Sequence, residues 1–208
     1  PYVSKPAHIL LNTGSGFALQ SLNGSTSVAH YVGHGDFDGN GLTDFVIEGA
    51  DGQILFGSSP VPNRLVKVTD QRGGVTDVAY RPSAQQVGVS GPNQIPVVQQ
   101  LVDTITVSDG RGNARATSYT YASGRCVFIN RRALGYNTVT AMLEALPGDA
   151  SPPVVTTTYA NDNFVNAGLV KSRIVSTGGT ITWAREINDW QVLKGGTALN
   201  VFHFDLPR

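Results

Sequence analysis

Short runs of β-branched and aromatic residues alternate with glycine- or proline-containing turns along the whole chain, and this rhythm limits the folds open to it. One such run, Asp44–Glu48 (DFVIE), is followed by a turn at Gly49–Gly52 and then by a further short run, Ile54–Phe56. No segment shows the 3.6-residue apolar period of an amphipathic helix. The 24 glycines and 11 prolines among 208 residues supply the turns that many short strands need. The sequence therefore predicts an all-β fold.

The beginning of the chain has the rhythm of a small antiparallel meander. Strands are expected at His8–Leu11, Phe17–Leu19, Val28–Val32, Asp44–Glu48 and Ile54–Phe56. Strands of this number and length make a unit the size of one β-propeller blade. Ser58–Asn63 (SSPVPN) then contains two prolines, which cannot donate ladder hydrogen bonds. We therefore place a domain boundary there and predict domains at residues 1–60 and 64–208.

The second part has longer strands and a weak internal repeat. Val68–Tyr80 and Val107–Tyr119 share valine, aspartate, arginine, glycine and tyrosine at matching positions. Each is expected to be a β-hairpin with glycines at its tip, and a third hairpin is expected at Val175–Trp183. A further strand is expected over Arg125–Asn130. This part is predicted to be a sheet or sandwich-like domain of antiparallel hairpins.

The charge balance narrows the range of partners. Fifteen basic residues offset 15 acidic ones, so the chain has no electrostatic footprint for nucleic acid or an anionic membrane. Cys126 is the only cysteine, which excludes an internal disulfide and argues against a small disulfide-stapled scaffold. No apolar stretch is long enough to span a bilayer, and the amino terminus does not read as a signal peptide. The chain begins at Pro1 rather than at a methionine, which suggests a processed or excised piece.

An acidic, glycine-containing loop carries the sharpest chemical signal. Gly35–Asp44 reads GDFDGNGLTD, and counted from Asp36 its side-chain oxygens fall at positions one, three, five and nine, with the Leu42 carbonyl at seven. Hard oxygens at this spacing suit Ca²⁺. An EF-hand would also need a glutamate at position twelve and flanking helices, whereas Ile47 stands there and the flanks read as strands. The alternative to a metal site is a solvated turn whose Asp and Asn side chains cap their own backbone.

This loop resembles that of the FG-GAP repeat, also called the VCBS or integrin-α-type repeat, whose D-x-D-x-N-G-x-x-D loop joins two strands of a propeller blade. Asn12–Phe17 (NTGSGF) matches the turn that such repeats carry upstream. The calcium ligands that the resemblance implies are Asp36, Asp38, Asn40, the Leu42 backbone oxygen and Asp44. It also implies a structural role for the ion, which fixes a loop between two strands.

A second resemblance is carried by four segments in order. They are Leu65–Pro82, Val107–Tyr121, Arg131–Val139 and Thr156–Ser176, the last followed by Asn188–Trp190 (NDW). In this order, the segments resemble the middle region that follows the propeller in the B component of Tc insecticidal toxin complexes. SpvB-type virulence proteins and Rhs-associated proteins share that region. In that family, β-rich sheet continues into a hollow Rhs shell that encapsulates a toxic carboxy-terminal domain. The YD repeats of that shell are absent and only one FG-GAP unit is present, so the resemblance implies a fragment of a larger protein.

The sequence contains no convincing catalytic motif. Gly88–Gly91 contains Ser90 but misses the G-x-S-x-G spacing of a serine hydrolase. His30 and His34 would share a face for zinc only on a helix, whereas this segment reads as a strand. Cys126 lies in an apolar run that is typical of a buried, inert thiol. We therefore predict that the chain is not an enzyme.

Two classes of function remain. The first is a non-catalytic structural module of a large exported bacterial toxin of the Tc/Rhs type, with a calcium-stabilised β loop and a platform for neighbouring domains or toxin-complex subunits. The second is an extracellular recognition module, in which the blade edge and Trp or Tyr side chains bind a cell-surface receptor or glycan, with Trp183 and Trp190 as a candidate carbohydrate platform. Both classes predict a secreted or extracellular bacterial protein. YD repeats downstream of Arg208 would favour the first class, and a cell-wall anchor or lectin domain the second.

Overall fold

The computed structural model describes residues 8–21, 30–48, 52–58, 61, 63–85, 95–178, 181–192 and 198–205. These residues form fourteen β-strands and a single 3-10 turn at Ser83–Gln85. No helix among them has the length and apolar character needed to cross a membrane. The chain divides into two compact units, residues 1–63 and 64–208. The prediction of an all-β fold is confirmed.

The first unit contains five strands in two sheets. β1 (His8–Asn12) and β2 (Phe17–Ser21) form a hairpin. β3 (His30–Gly35), β4 (Asp44–Glu48) and β5 (Gln53–Leu55) form a three-stranded antiparallel sheet. The predicted meander is therefore confirmed for β3 to β5. Among the described residues β1 and β2 pair only with each other, so one meander through all five strands is wrong.

The described residues of the second unit form one nine-stranded antiparallel sheet in which each strand pairs with its neighbours in the sequence. Its strands are β6 (Lys67–Thr69), β7 (Val75–Pro82), β8 (Gln100–Ser108), β9 (Ala114–Val127), β10 (Arg132–Leu143), β11 (Pro153–Tyr159), β12 (Val170–Thr177), β13 (Ile181–Val192) and β14 (Ala198–Asp205). Each strand lies beside the one before it, across tight hairpin turns as well as across longer connections such as that between β7 and β8. The described residues therefore stay in one layer, and they do not form the second sheet of a sandwich.

The three predicted hairpins are confirmed, and the two repeated ones share their turn chemistry. Asp70 Oδ1 accepts hydrogen bonds from the backbone N–H groups two and four residues later, both at 2.8 Å. Asp109 Oδ1 accepts the equivalent bonds at 2.8 and 3.1 Å. The two tips also touch, because a Cβ at Gly110 would lie 2.8 Å from the Gly73 carbonyl carbon and closer still to its oxygen. The internal repeat thus corresponds to two turns packed backbone against backbone.

The strand register aligns one apolar row of side chains across the large sheet. One register row is apolar across β9 to β13 and consists of Tyr119, Ala141, Val155, Val175 and Ala184. The adjacent row points to the opposite face and begins with Thr120, Thr140 and Thr156. All of these side chains except the exposed Thr120 are half-buried, so the apolar row is only partly covered.

Few apolar side chains are buried in the described residues. They are Ile47, Ile95, Leu134, Tyr136 and Ala160. Ile47 belongs to the first unit and the other four to the second. In the second unit, the polar residue Asn161 follows Ala160 in the chain and is only 2% exposed. Its Nδ2 donates to the Tyr136 carbonyl oxygen at 2.8 Å, and its Oδ1 accepts from the Gly168 N–H at 2.8 Å. Asn161 therefore joins β10 to the connection between β11 and β12.

The predicted strand at Arg125–Asn130 is wrong at its end, because β9 stops at Val127 and the chain turns over the next four residues. The Asn130 N–H donates to the Val127 carbonyl at 3.2 Å, and Arg131 has a positive φ of 49°. Phe128 and Ile129 suggested a continued strand, but they occupy the hairpin tip and are 64% and 95% exposed.

Candidate metal centre

The acidic loop joins β3 to β4, and Gly35 and Asp44 are the last residues in register before it. The two ends of the loop are therefore paired residues on neighbouring strands of the small sheet. Gly39 and Gly41 have φ angles of +73° and +81°, a left-handed conformation that favours glycine. These two glycines allow the loop to turn back on itself.

Three carboxylates converge in this loop. One oxygen from each of Asp36, Asp38 and Asp44 lies within 4.8 Å of the other two. Asp36 and Asp38 are exposed, whereas Asp44 is buried. Like charges at this spacing repel one another unless a cation lies between them, and carboxylate oxygens are ligands that Ca²⁺ prefers. The loop thus brings together the three acidic residues that its spacing singled out.

The same carboxylates also organise the loop backbone. Asp36 accepts hydrogen bonds from the N–H groups of Asn40 at 3.0 Å and Gly41 at 2.9 Å. Asp38 accepts from the Asn40 backbone N–H at 3.0 Å and from its Nδ2 at 2.9 Å. These are the contacts that the alternative, a self-capping acidic turn, also requires. Each carboxylate oxygen has a second lone-pair site, so these bonds and a metal ion are compatible.

Asp44 ties the loop to the residue that follows β5. Its Oδ1 accepts from the Gly57 N–H at 2.8 Å, and its Oδ2 accepts from the Phe37 N–H at 2.7 Å. The Gly57 hydrogen bond is the main cause that lowers the pKa of Asp44, although burial acts in the opposite direction. The buried group is therefore a carboxylate at neutral pH.

Asn40 and Leu42 complete the predicted set of ligands. The Asn40 Nδ2 donates to the Gly57 carbonyl at 2.8 Å, and its Oδ1 accepts from the Leu42 N–H at 2.6 Å. Both residues are half-buried and lie in the same turn as the three carboxylates. Asn40 therefore connects the turn to the end of the small sheet.

Gly57 is a residue of this site that the sequence reasoning missed. Its N–H and its carbonyl are both bound by loop side chains, those of Asp44 and Asn40. A Cβ at this position would lie 2.9 Å from both the Leu42 Cβ and the Thr43 carbonyl oxygen. The only available signal was a glycine directly after a short strand, and such glycines are common in turns.

Of the other residues considered for chemistry, His34 and Cys126 are described, and neither joins this cluster. The exposed His34 is hydrogen-bonded through Nδ1 to the Tyr31 hydroxyl. The side chain of His30 and the whole of Ser90 lie outside the described residues. Cys126 is half-buried beside a small cavity of about 140 Å³.

The two tryptophans lie on the same strand, β13. Trp183 is 60% exposed, and its indole N–H donates to the Thr177 hydroxyl. The Trp190 indole N–H donates to the Val170 carbonyl at 2.7 Å. Seven residues of strand separate these tryptophans, roughly 23 Å, which is too far for one shared sugar platform.

Comparison with known proteins adds a sequence family and a set of similar folds. Residues 13–168 match the sequence profile described as the insecticide toxin TcdB middle/N-terminal region. The fold is similar to that of the Photorhabdus luminescens Tc holotoxin pore with a mutated TccC3, at a TM-score of 0.65 and 13% identity over 91% of this chain and 12% of that one. Crystal structures of TcdB2-TccC3 and TcdB2-TccC3-Cdc42 give TM-scores of 0.67 and 0.68 at 13% identity, over 98% of this chain and 14% of each of theirs.

The structural matches show a shared fold, and the chain spans only 12–14% of the length of these solved chains. A search of curated proteins finds no significant match. The family profile, by contrast, covers most of the 208 residues and includes parts of both compact units. The expected resemblance to the Tc toxin middle region is confirmed. The chain belongs to the family of the insecticide toxin TcdB middle/N-terminal region.

Proposed function

We propose that this chain is a non-catalytic structural module of a large exported bacterial toxin of the Tc/Rhs type. Its large sheet serves as a platform for neighbouring domains or other toxin-complex subunits. Family membership supports the toxin assignment, and two of the solved structures with a similar fold are complexes of TcdB2-TccC3. A further toxin subunit, or another part of the same large polypeptide, is accordingly the partner that we propose.

The observation that carries this proposal is the amount of apolar surface left uncovered by the second unit. At the β9–β10 tip, Ile129 is 95% exposed and Phe128 is 64% exposed. Phe164, in the connection between β11 and β12, is 51% exposed. The Arg132 guanidinium carbon lies 4.1 Å from the centroid of its ring. Phe128 and Ile129 are adjacent, and clustered exposed apolar groups, unlike single ones, mark contact sites in proteins. The apolar row of the large sheet is also only partly covered, and another layer over it would give it the burial of a normal core.

The platform is tested by comparing side-chain accessibility in the isolated chain and in the intact toxin protein that contains it. Hydroxyl-radical labelling read by mass spectrometry is expected to modify Phe128 and Ile129 strongly in the isolated chain. In the intact protein, labelling of both is expected to fall several-fold because a neighbouring domain or subunit covers the tip. The buried Leu134 is the control, and its labelling is expected to stay low in both samples. Equal labelling of the tip in both samples would contradict the platform.

We also propose that the β3–β4 loop is a calcium site of the FG-GAP/VCBS type. The ligands are Asp36, Asp38, Asn40, the Leu42 backbone oxygen and Asp44. The convergence of three carboxylate oxygens within 4.8 Å supports this proposal over a self-capping turn. Bound Ca²⁺ would neutralise their mutual repulsion and hold β3, β4 and the Gly57 segment together.

Calcium is expected to raise the melting temperature of the first unit. A ligand at 100 times its dissociation constant stabilises the state that binds it by about 2.7 kcal/mol. Calorimetric melting in calcium and in chelator measures this difference, and Asp38→Ala is expected to abolish it. Asp109→Ala is the matched control, because Asp109 caps a similar exposed turn outside the loop. Identical melting of the unaltered chain in calcium and in chelator would show that the loop is a self-capping turn.

The recognition class stays a prediction. Trp183 is the described tryptophan with an accessible ring, but its indole N–H is already bonded to Thr177. Binding of a receptor or glycan would therefore rely on the face of this ring.

A further inference from the structure

The candidate metal loop contains an Asn-Gly dipeptide, Asn40–Gly41, whose surroundings favour a chemical change in the protein itself. We propose that Asn40 is a deamidation site, at which the side chain cyclises onto the backbone nitrogen of Gly41 and loses its amide. Asp36 receives the proton that Gly41 gives up. The modification itself does not depend on the proposed calcium site.

Two contacts and the lack of a side chain on Gly41 support this reaction. The Asn40 Oδ1 accepts from the Leu42 N–H at 2.6 Å, which closes a ring that contains both the Asn40 Cγ and the Gly41 nitrogen. Gly41 has no Cβ to hinder an approach to its nitrogen. The Gly41 N–H donates to the Asp36 Oδ2 at 2.9 Å, within the reach that a general base requires. The two reacting groups and a proton acceptor are thus held in one turn.

The reaction needs only water. The Gly41 nitrogen forms a bond to the Asn40 Cγ and releases its proton to Asp36. The Cγ–Nδ2 bond breaks, and ammonia leaves with the proton that Asp36 returns, so that a cyclic imide remains. Water then opens the imide at either carbonyl and leaves aspartate or isoaspartate at residue 40. One water is consumed and one ammonia is released, with no oxidation or reduction.

The product would weaken the connection between the loop and the small sheet. The Asn40 Nδ2 donates to the Gly57 carbonyl at 2.8 Å and to the Asp38 Oδ2 at 2.9 Å, and a carboxylate can donate neither bond. It would also place a fourth negative charge beside Asp36, Asp38 and Asp44. Deamidation is therefore an irreversible, time-dependent loosening of this loop.

Calcium would oppose the change, and this part of the inference rests on the proposed calcium site. An ion bound to Asp36 would occupy the carboxylate that accepts the proton. The same ion, bound to Asn40, would hold the side chain that must move for the ring to close. The metal-free protein is then the form in which Asn40 deamidates, and the calcium-bound protein is protected from deamidation.

The test is prolonged incubation of the whole chain at physiological temperature, in chelator and in excess Ca²⁺, followed by peptide mapping with mass spectrometry. Asn23–Gly24, the second Asn-Gly pair of the sequence, is the internal control for the chemistry. In chelator, Asn40 is expected to lose its amide as isoaspartate and aspartate accumulate. In Ca²⁺ the rate at Asn40 is expected to fall, while the rate at Asn23 is unchanged.

A pair of variants tests the role of Asp36. Asp36→Asn replaces the carboxylate that takes the Gly41 proton with an amide that cannot act as a base, whereas Asp38→Asn removes a neighbouring carboxylate whose hydrogen bonds are with Asn40. In chelator, Asp36→Asn is expected to slow the loss of the Asn40 amide roughly tenfold or more relative to Asp38→Asn. Equal rates in the two variants would overturn the role of Asp36. An intact Asn40 in a chelated sample whose Asn23 is converted would overturn the modification site. Equal rates at Asn40 in calcium and in chelator would overturn only the protection by calcium.

Discussion

Replacing Asn161 with alanine is expected to lower the free energy of unfolding of the second unit by about 2–4 kcal/mol. Asn161 is 2% exposed, and its side chain hydrogen-bonds to the Tyr136 carbonyl and to the Gly168 N–H, each at 2.8 Å. Alanine would leave both backbone groups without these bonds in a place that water hardly reaches. Urea denaturation measures the change, and the fluorescence of Trp183 and Trp190 reports on this unit.

Asn163→Ala is the matched control for this prediction. Asn163 lies two residues away in the same connection, and its Oδ1 also accepts two backbone hydrogen bonds, from the N–H groups of Val165 and Asn166 at 3.0 Å. It is exposed, so water replaces those bonds, and a loss of no more than about 1 kcal/mol is expected. Equal losses in the two variants would mean that burial of Asn161 is not what makes it important.

Replacing Gly110 with alanine is expected to have a comparably large effect, about 2–4 kcal/mol. Gly110 has a φ of +71°, which costs a residue with a side chain about 1–2 kcal/mol. The new Cβ would in addition overlap the Gly73 carbonyl, a backbone group that cannot rotate away. The β6–β7 and β8–β9 tips would then have to separate. The same urea titration measures the change in the free energy of unfolding.

Gly112→Ala separates the two causes. Gly112 lies in the same turn with a φ of +98°, but a Cβ there would meet no atom within 4 Å. It is expected to show the backbone cost of about 1–2 kcal/mol without the overlap. If Gly110→Ala and Gly112→Ala lose the same stability, the contact between the two hairpin tips contributes nothing.

The predictions that the sequence supported are local ones. Alternating β-branched runs and glycine turns depend on a side-chain period of about two residues and on φ angles that favour glycine, and both are properties of a few adjacent residues. The equivalent turns at Asp70 and Asp109 were visible as a repeat for the same reason. The convergence of Asp36, Asp38 and Asp44 was visible because a tight loop brings residues of close spacing together.

What the sequence determined by itself is therefore the all-β class, the hairpins and the oxygen-rich loop. Only the tertiary structure placed Gly57 against Asp44 and Asn40, and Asn161 against Tyr136, over separations of 13, 17 and 25 residues. Only the tertiary structure shows that the described strands of the second unit form a single sheet and that Phe128 and Ile129 lie at an exposed tip. The physical reason is that local patterns set the strand period and the turn type, whereas burial and long-range hydrogen bonds depend on which strands become neighbours.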